Sequence, residues 1–317
     1  MQVSEATYAR PATLREALDL IAVAPSNDCL LVAGGTDALV HRKQELDSRQ
    51  FLIDLSGIDT LRRIRIDQGR LVLGAMVTLQ ELETSSEAGG WCPLPGEAAR
   101  AIASPTLRYS ATVGGNLLVG NRCTFYNQSK LGRESAGTCL REAGPTCLAT
   151  GGLENCYARN VSDLAPALIA LDARVELCNR SGTFAKPLIE LYAADGLHAQ
   201  AGLEPGTILT GAHMARRPVR WFFRKLRQRE SLDYASLTVA GVLYPDLTVR
   251  VCVNGVSTMP ELVEAQQGEI TLSELQSRVR RSCKTVDNDV MPLKYRREMI
   301  DVYLEDLWRS LGPDSGR

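Results

Sequence analysis

One stretch of this chain has too little apolar surface to hold itself together. Between Thr112-Val113-Gly114-Gly115-Asn116 and Ser162-Asp163-Leu164-Ala165-Pro166 lie Cys123, Cys139, Cys147 and Cys156, spaced C-x15-C-x7-C-x8-C. The intervening residues are mostly Gly, Ser, Thr, Asn and charged, as in Asn127-Gln128-Ser129-Lys130 and Arg141-Glu142-Ala143-Gly144-Pro145. A loop of this length inside a folded unit is ordered by something other than a core, or is functional. Four thiolates on one metal centre would supply that order, because ligation free energy is also folding free energy. Structural zinc sites draw on close C-x2-4-C pairs, which are absent here. Four separate loop points suit a [4Fe–4S] cluster. Zinc, a pair of disulfides and four unrelated thiols are the competing readings. Disulfides fit poorly with a chain that opens Met1-Gln2-Val3-Ser4-Glu5, without a basic and apolar leader.

The 317 residues are 44% hydrophobic and 23% charged, as in a globular protein of two or three units. A net charge of −1 offers no electrostatic case for nucleic acid or an anionic membrane. No apolar run is long enough to span a bilayer, so a cytoplasmic location is expected.

Residues 3–57 read as a small α/β unit. A helix starts at Thr13-Leu14-Arg15-Glu16, a capping box. A buried strand, Cys29-Leu30-Leu31-Val32-Ala33, runs into Gly34-Gly35-Thr36-Asp37 and a helix near 38–46. Glycines after a strand permit close approach of a ligand, and successive N–H groups there form an anion-binding nest. The pattern matches neither the dinucleotide fingerprint nor the P-loop. Two hairpins follow, at 64–73 and 174–186, with a second capping box at Thr78 and Glu81 and a helix near 96–103 that Pro105 stops. The second Gly-Gly, Gly114-Gly115, follows the extended Ala111-Thr112-Val113. Two such turns together suit a diphosphate. Asp163 opens a helix to Leu171, where it serves as a cap or a ligand contact. Arg216 to Arg220 reads as a linker. Beyond it, three strands (221–226, 237–243 and 247–253) and helices near 271–283 and 293–310 suggest a sheet with helices on one face. His41, His198 and His213 sit in no nucleophile or metal motif and read as surface residues.

Taken together, Ala33-Gly34-Gly35-Thr36-Asp37, Ala111-Thr112-Val113-Gly114-Gly115-Asn116, Ser162-Asp163-Leu164-Ala165-Pro166, Lys225-Leu226-Arg227-Gln228-Arg229 and Tyr295-Arg296-Arg297 resemble the FAD-binding medium subunits of the molybdenum hydroxylases. The resemblance covers nearly the whole chain in the right order. It implies an α+β protein: a vanillyl-oxidase-like two-part FAD domain (residues 1–57 and 58–215) and a C-terminal α+β domain (216–317). FAD is expected against Val32, Ala33, Gly34, Gly35, Thr36 and Asp37, against Thr112, Gly114, Gly115 and Asn116, and near Asp163 and Lys225. Ile102 stands where some relatives carry an aromatic against the adenine. Most family members lack residues 122–158. That insertion, opening Arg122-Cys123-Thr124-Phe125-Tyr126-Asn127-Gln128-Ser129, is similar to the [4Fe–4S]-bearing insertion of the 4-hydroxybenzoyl-CoA reductase branch. A periplasmic aldehyde oxidoreductase of the family also has a four-cysteine insertion, with a different opening. The match implies Cys123, Cys139, Cys147 and Cys156 as cluster ligands.

The resemblance further implies an electron-transfer subunit with no substrate chemistry of its own. Its expected partners are a molybdenum-cofactor large subunit, a [2Fe–2S] small subunit and a ferredoxin-like carrier, in a dimer of heterotrimers. Two other classes compete: a self-sufficient flavin oxidase, which needs an acid or base over the flavin, and a zinc-stapled binding module without colour.

Overall fold

A computed structural model describes residues 6–24 and 28–312. The N-terminal Met1–Glu5, and the outermost residues of the first and last expected units, lie outside these. Three sheets organise the chain. The first is parallel: β1 (Thr7–Ala9), β2 (Cys29–Val32) and β3 (Phe51–Asp54), in the order β1-β3-β2. The helix Leu14–Val23 connects β1 to β2, with the Thr13 hydroxyl accepting from Glu16 N–H. The helix Ala38–Lys43 connects β2 to β3. Parallel strands require such crossovers.

The second sheet is antiparallel: β4 (Ile64–Asp67), β5 (Arg70–Gly74), β6 (Arg174–Asn179), β7 (Gly182–Pro187) and β8 (Ile208–Met214), in the order β4-β5-β8-β6-β7. Both expected hairpins are present. The helix near 96–103 is instead Leu94–Arg100, and Pro105 opens a further short helix, Pro105–Arg108, capped by Ser104. Proline fits there because a first-turn N–H has no helical acceptor to lose.

The third sheet corrects two expectations. It has four strands rather than three: β9 (Arg220–Leu226), β10 (Leu237–Leu243), β11 (Thr248–Asn254) and β12 (Glu261–Gln266), in the order β12-β11-β10-β9. The last strand, Glu261-Leu262-Val263-Glu264-Ala265-Gln266, lies on an edge and lacks period-2 alternation, which weakens its sequence signal. The sheet is also covered on both faces. The helices Leu272–Ser282 and Leu293–Leu311 pack with Val239, Val251 and Val253 on one side. The helix Leu164–Ala170, buried along its whole length, packs with Ala240, Val242 and Cys252 on the other. This is why every residue of β10 is buried, as period-2 alternation demands of a strand between two layers.

The polar interval behaves as its composition requires. Among the described residues, none from 122 to 157 joins a hydrophobic cluster. Its neck is an antiparallel bridge between Arg122 and Arg159, and its one α-helix, Lys130–Ala136, buries only Arg133.

Candidate functional site

A cleft of about 420 Å³ opens between the first two sheets and the edge of the third. That volume is in the ordinary range for a small-molecule or cofactor site. It brings together Ala33, Gly34, Gly35, Thr36 and Asp37 from the first Gly-Gly turn, Thr112, Gly114, Gly115 and Asn116 from the second, and Asp163 and Lys225. Val32 is not among its walls. Val32 packs with Leu30 and Leu52.

The two turns meet through bare backbone. A Cβ on Gly34 would lie 1.7 Å from the Ser110 carbonyl oxygen, so no side chain fits there. A Cβ on Gly114 would lie 2.9 Å from the Ala75 side chain and 3.0 Å from its carbonyl. Hydrogen bonding separates them. Among the described residues, the N–H groups of Gly34, Gly35, Thr36 and Asp37 donate to no protein acceptor. The second Gly-Gly, read as a turn, is the first turn of the short helix Val113–Leu117, where Val113 and Gly114 N–H donate to the Val77 and Ala75 carbonyls, both at 2.8 Å, and Asn116 N–H to the Thr112 carbonyl at 2.9 Å. Gly115 N–H donates to the Thr112 hydroxyl at 3.1 Å. The first turn is therefore the wall rich in unused donors, a fit for an anionic group.

Asp163 precedes the helix Leu164–Ala170 but makes no capping bond to it. Its carboxylate instead accepts from Lys225 Nζ at 2.5 Å and from the Thr238 hydroxyl at 3.0 Å. Both side chains of the pair are only 4% exposed, and Lys225 also donates to the Ala101 carbonyl at 3.0 Å. Asn116 joins this segment to the second turn, its side-chain oxygen accepting from the Ser162 hydroxyl at 2.8 Å and Leu164 N–H at 3.2 Å. Ile102, Leu107 and Leu232 add apolar surface to the cleft.

Sequence reasoning missed His41 and Tyr234, both cleft residues. His41 is not a surface histidine: its imidazole touches the Arg122 guanidinium and lies 3.9 Å from the Asp37 carboxylate. Burial, then the charge of Arg141, lowers its pKa. Tyr234 shares Arg122 with Asp37: its hydroxyl accepts from Arg122 at 2.8 Å and donates to Asp37 at 3.1 Å. No local pattern marks a tyrosine that reaches the turn from so far along the chain. His198 and His213 stand apart, beside Asp195 and Glu176.

The four cysteines of the insertion converge on one small cavity of about 20 Å³, lined otherwise by apolar groups, Tyr126 and Arg141. All nine cysteines of the chain are free thiols, against the disulfide reading. Among the described residues no three His, Cys, Asp or Glu side chains are set to hold a single metal ion. The four cysteines share a cavity without forming a ready-made metal cage. Burial pushes the Cys156 thiol up to about 11 and raises that of Cys123. Burial also acts against Cys147, but hydrogen bonds from Thr150 and from the Ala149 and Tyr157 backbone outweigh it and lower its pKa. No described helix is long and apolar enough to cross a membrane.

Residues 3–214 match the family described as the FAD binding domain in molybdopterin dehydrogenase. The chain is 32% identical over 251 residues to the aldehyde oxidoreductase FAD-binding subunit PaoB of Escherichia coli (strain K12), spanning 76% of this chain and 78% of that one. It is 35% identical over 114 residues to the carbon monoxide dehydrogenase medium chain of Hydrogenophaga pseudoflava, or 36% and 39% of the two chains. Its fold matches a chain of the Cu,Mo-CO dehydrogenase crystal structure with a TM-score of 0.76 at 21% identity, over 98% of each chain.

Proposed function

This chain belongs to the family of FAD-binding subunits of the molybdopterin dehydrogenases, and on that premise we propose that it is the electron-transfer flavo-iron–sulfur subunit of a molybdenum hydroxylase complex. The observation that carries the flavin site is the first Gly-Gly turn, four consecutive N–H groups without acceptors among the described residues, on the wall of the cleft. Gly34 to Asp37 would hold the diphosphate through those donors. The second turn, its own donors engaged, gives the cleft its shape through Thr112, Gly114, Gly115 and Asn116. Asp163 and Lys225 present a paired, net-neutral wall beside the expected ribityl or ribose hydroxyls.

Cys123, Cys139, Cys147 and Cys156 are proposed to ligate a [4Fe–4S] cluster. Their convergence on one cavity supports this, as does the absence of carboxylate or imidazole among its walls. When bound, the flavin exchanges electrons in pairs or singly and the cluster passes them one at a time. The chain's own residues bind, orient and shield these groups. Substrate chemistry would fall to a molybdenum-cofactor subunit, with a [2Fe–2S] subunit between and a ferredoxin-like carrier outside. Chain purified without oxygen is expected to release FAD and to contain iron and sulfide at four per chain. Cys139→Ser is expected to abolish the iron and sulfide. Colourless protein, or a cluster unaffected by that change, would sink the proposal.

For the substrate, the insertion's opening, Cys123-Thr124-Phe125-Tyr126, supports a 4-hydroxybenzoyl-CoA reductase-like complex, in which electrons run from ferredoxin towards molybdenum and remove a phenolic hydroxyl. A second reading, an aldehyde-oxidising complex, is favoured by the similarity to the aldehyde oxidoreductase subunit over 76% of the chain. Assay of the co-purified complex separates them. Turnover of 4-hydroxybenzoyl-CoA with a low-potential donor supports the first, and aldehyde oxidation with an artificial acceptor the second.

A further inference from the structure

The helix Ala38–Lys43, which follows the first Gly-Gly turn, buries none of its own side chains. So short a helix without a buried face is not stable by itself, and its position is set from outside. The insertion holds it at both ends. At the start, the Arg122 guanidinium donates to the Asp37 carboxylate and touches His41. Asp37 stands at the N-cap yet makes no side-chain bond to its helix; its carboxylate is engaged by Arg122 and Tyr234 instead. At the far end, Arg133 donates to the Gln44 and Glu45 carbonyls at 3.1 and 3.4 Å, and Lys130 pairs with Glu45 at 3.1 Å.

Arg122 is in turn fixed by the neck of the insertion. It exchanges backbone hydrogen bonds of 2.8 and 2.9 Å with Arg159. Arg159 is anchored by Asp289 at 2.8 Å and donates to the Ala235 carbonyl, next to Tyr234. The Arg122 guanidinium carbon lies 4.7 Å from the centre of the Tyr234 ring. The next residue along the chain is Cys123, whose thiol faces the cysteine cavity. One residue thus has its backbone beside the cysteine pocket and its side chain on the donor-rich turn.

We propose that Arg122 is a positioning residue that couples the two sites, so that flavin affinity depends on whether the four cysteines are ligated. The proposal rests on the readings that flavin occupies the cleft and that the four cysteines ligate a cluster. Ligation of Cys123 would order the neck, the ordered neck would hold the guanidinium, and the guanidinium would hold Asp37 and the turn that ends there. Because such coupling is reciprocal, bound flavin would favour cluster assembly to the same degree.

The test uses the intact chain, prepared without oxygen and stripped of flavin, and reads FAD affinity from the quenching of flavin fluorescence. Arg122→Ala is expected to weaken binding at least ten-fold, as is Asp37→Asn. The double variant is expected to be no worse than either alone, since both break one contact. Cys139→Ser is expected to weaken binding several-fold where Arg122 is present and to have no effect in the Arg122→Ala background. Additive losses, or an equal effect of Cys139→Ser in both backgrounds, would overturn the coupling. If Arg122→Ala does not fold, Arg122→Lys takes its place, since it keeps the charge but loses the planar fork. Wild-type chain that binds no FAD would overturn the reading of the cleft itself. Wild-type chain that binds FAD while Arg122→Ala binds it equally well would overturn only the coupling.

Discussion

The two Gly-Gly turns share a dipeptide, a preceding extended segment and a cleft, but they are built to opposite ends. The second is saturated. Its N–H groups are spent on Val77, Ala75 and Thr112, and Val113, Gly114 and Leu117 are buried. The first has four donors with no acceptor among the described residues and opens a helix with no buried residue. Backbone donors unpaired within a protein are met by water or by a ligand, and a run of them on the half-buried wall of a cleft suits a ligand. A saturated turn is scaffold. What separates binding from framework here is the accounting of hydrogen bonds, because the letters are the same.

Substitutions around the turns can break that contrast. Asp163→Ala has the largest expected effect. It strands Lys225 in a buried site, a loss of about 3–5 kcal/mol, and denaturant unfolding should show it with or without FAD. Gly34→Ala comes next. Its Cβ collides with backbone, and flavin binding is expected to weaken about 100-fold, about 2.8 kcal/mol, by fluorescence titration. Gly114→Ala meets the Ala75 and Leu209 side chains as well as backbone, an overpacking cost of about 1–3 kcal/mol. That loss should appear in the unfolding midpoint before it appears in flavin affinity. Smallest is Thr112→Ala, which removes the cap on Gly115 N–H for about 1 kcal/mol, read as a lowered thermal midpoint. If Gly34→Ala cost only stability, or Gly114→Ala only affinity, the assignment of the two turns would have to be exchanged.

Much of this was legible in the residues. The capping box at Thr78 forms as read, with Glu81 reaching back to the cap, because the signal is local. The convergence of Cys123, Cys139, Cys147 and Cys156 followed from an interval too polar to pack. The failures are non-local. β12 carries Glu261 and Glu264 on an edge, so only its partner β11 reveals it. Asp163 read as a helix cap or a ligand contact, and it has been drawn off by a distant cation, Lys225, that no short-range pattern can supply. His41 read as a surface residue because the groups that enclose it come from the insertion. Val32, read as part of the site, packs instead with Leu30 and Leu52.

The strand Leu237–Leu243 gives one face to the layer around Leu164–Ala170 and the other to the two terminal helices. The stretch before residue 215 and the stretch after it therefore share a wall. A polypeptide cut there would leave the outer flank of Leu164–Ala170 in water and remove the cation that neutralises Asp163, at the head of that same helix. The proposed division at 215/216 is thus a division of labour and not of stability: heating should melt both halves in one cooperative step, and the flavin-binding part on its own should not survive as a soluble fragment.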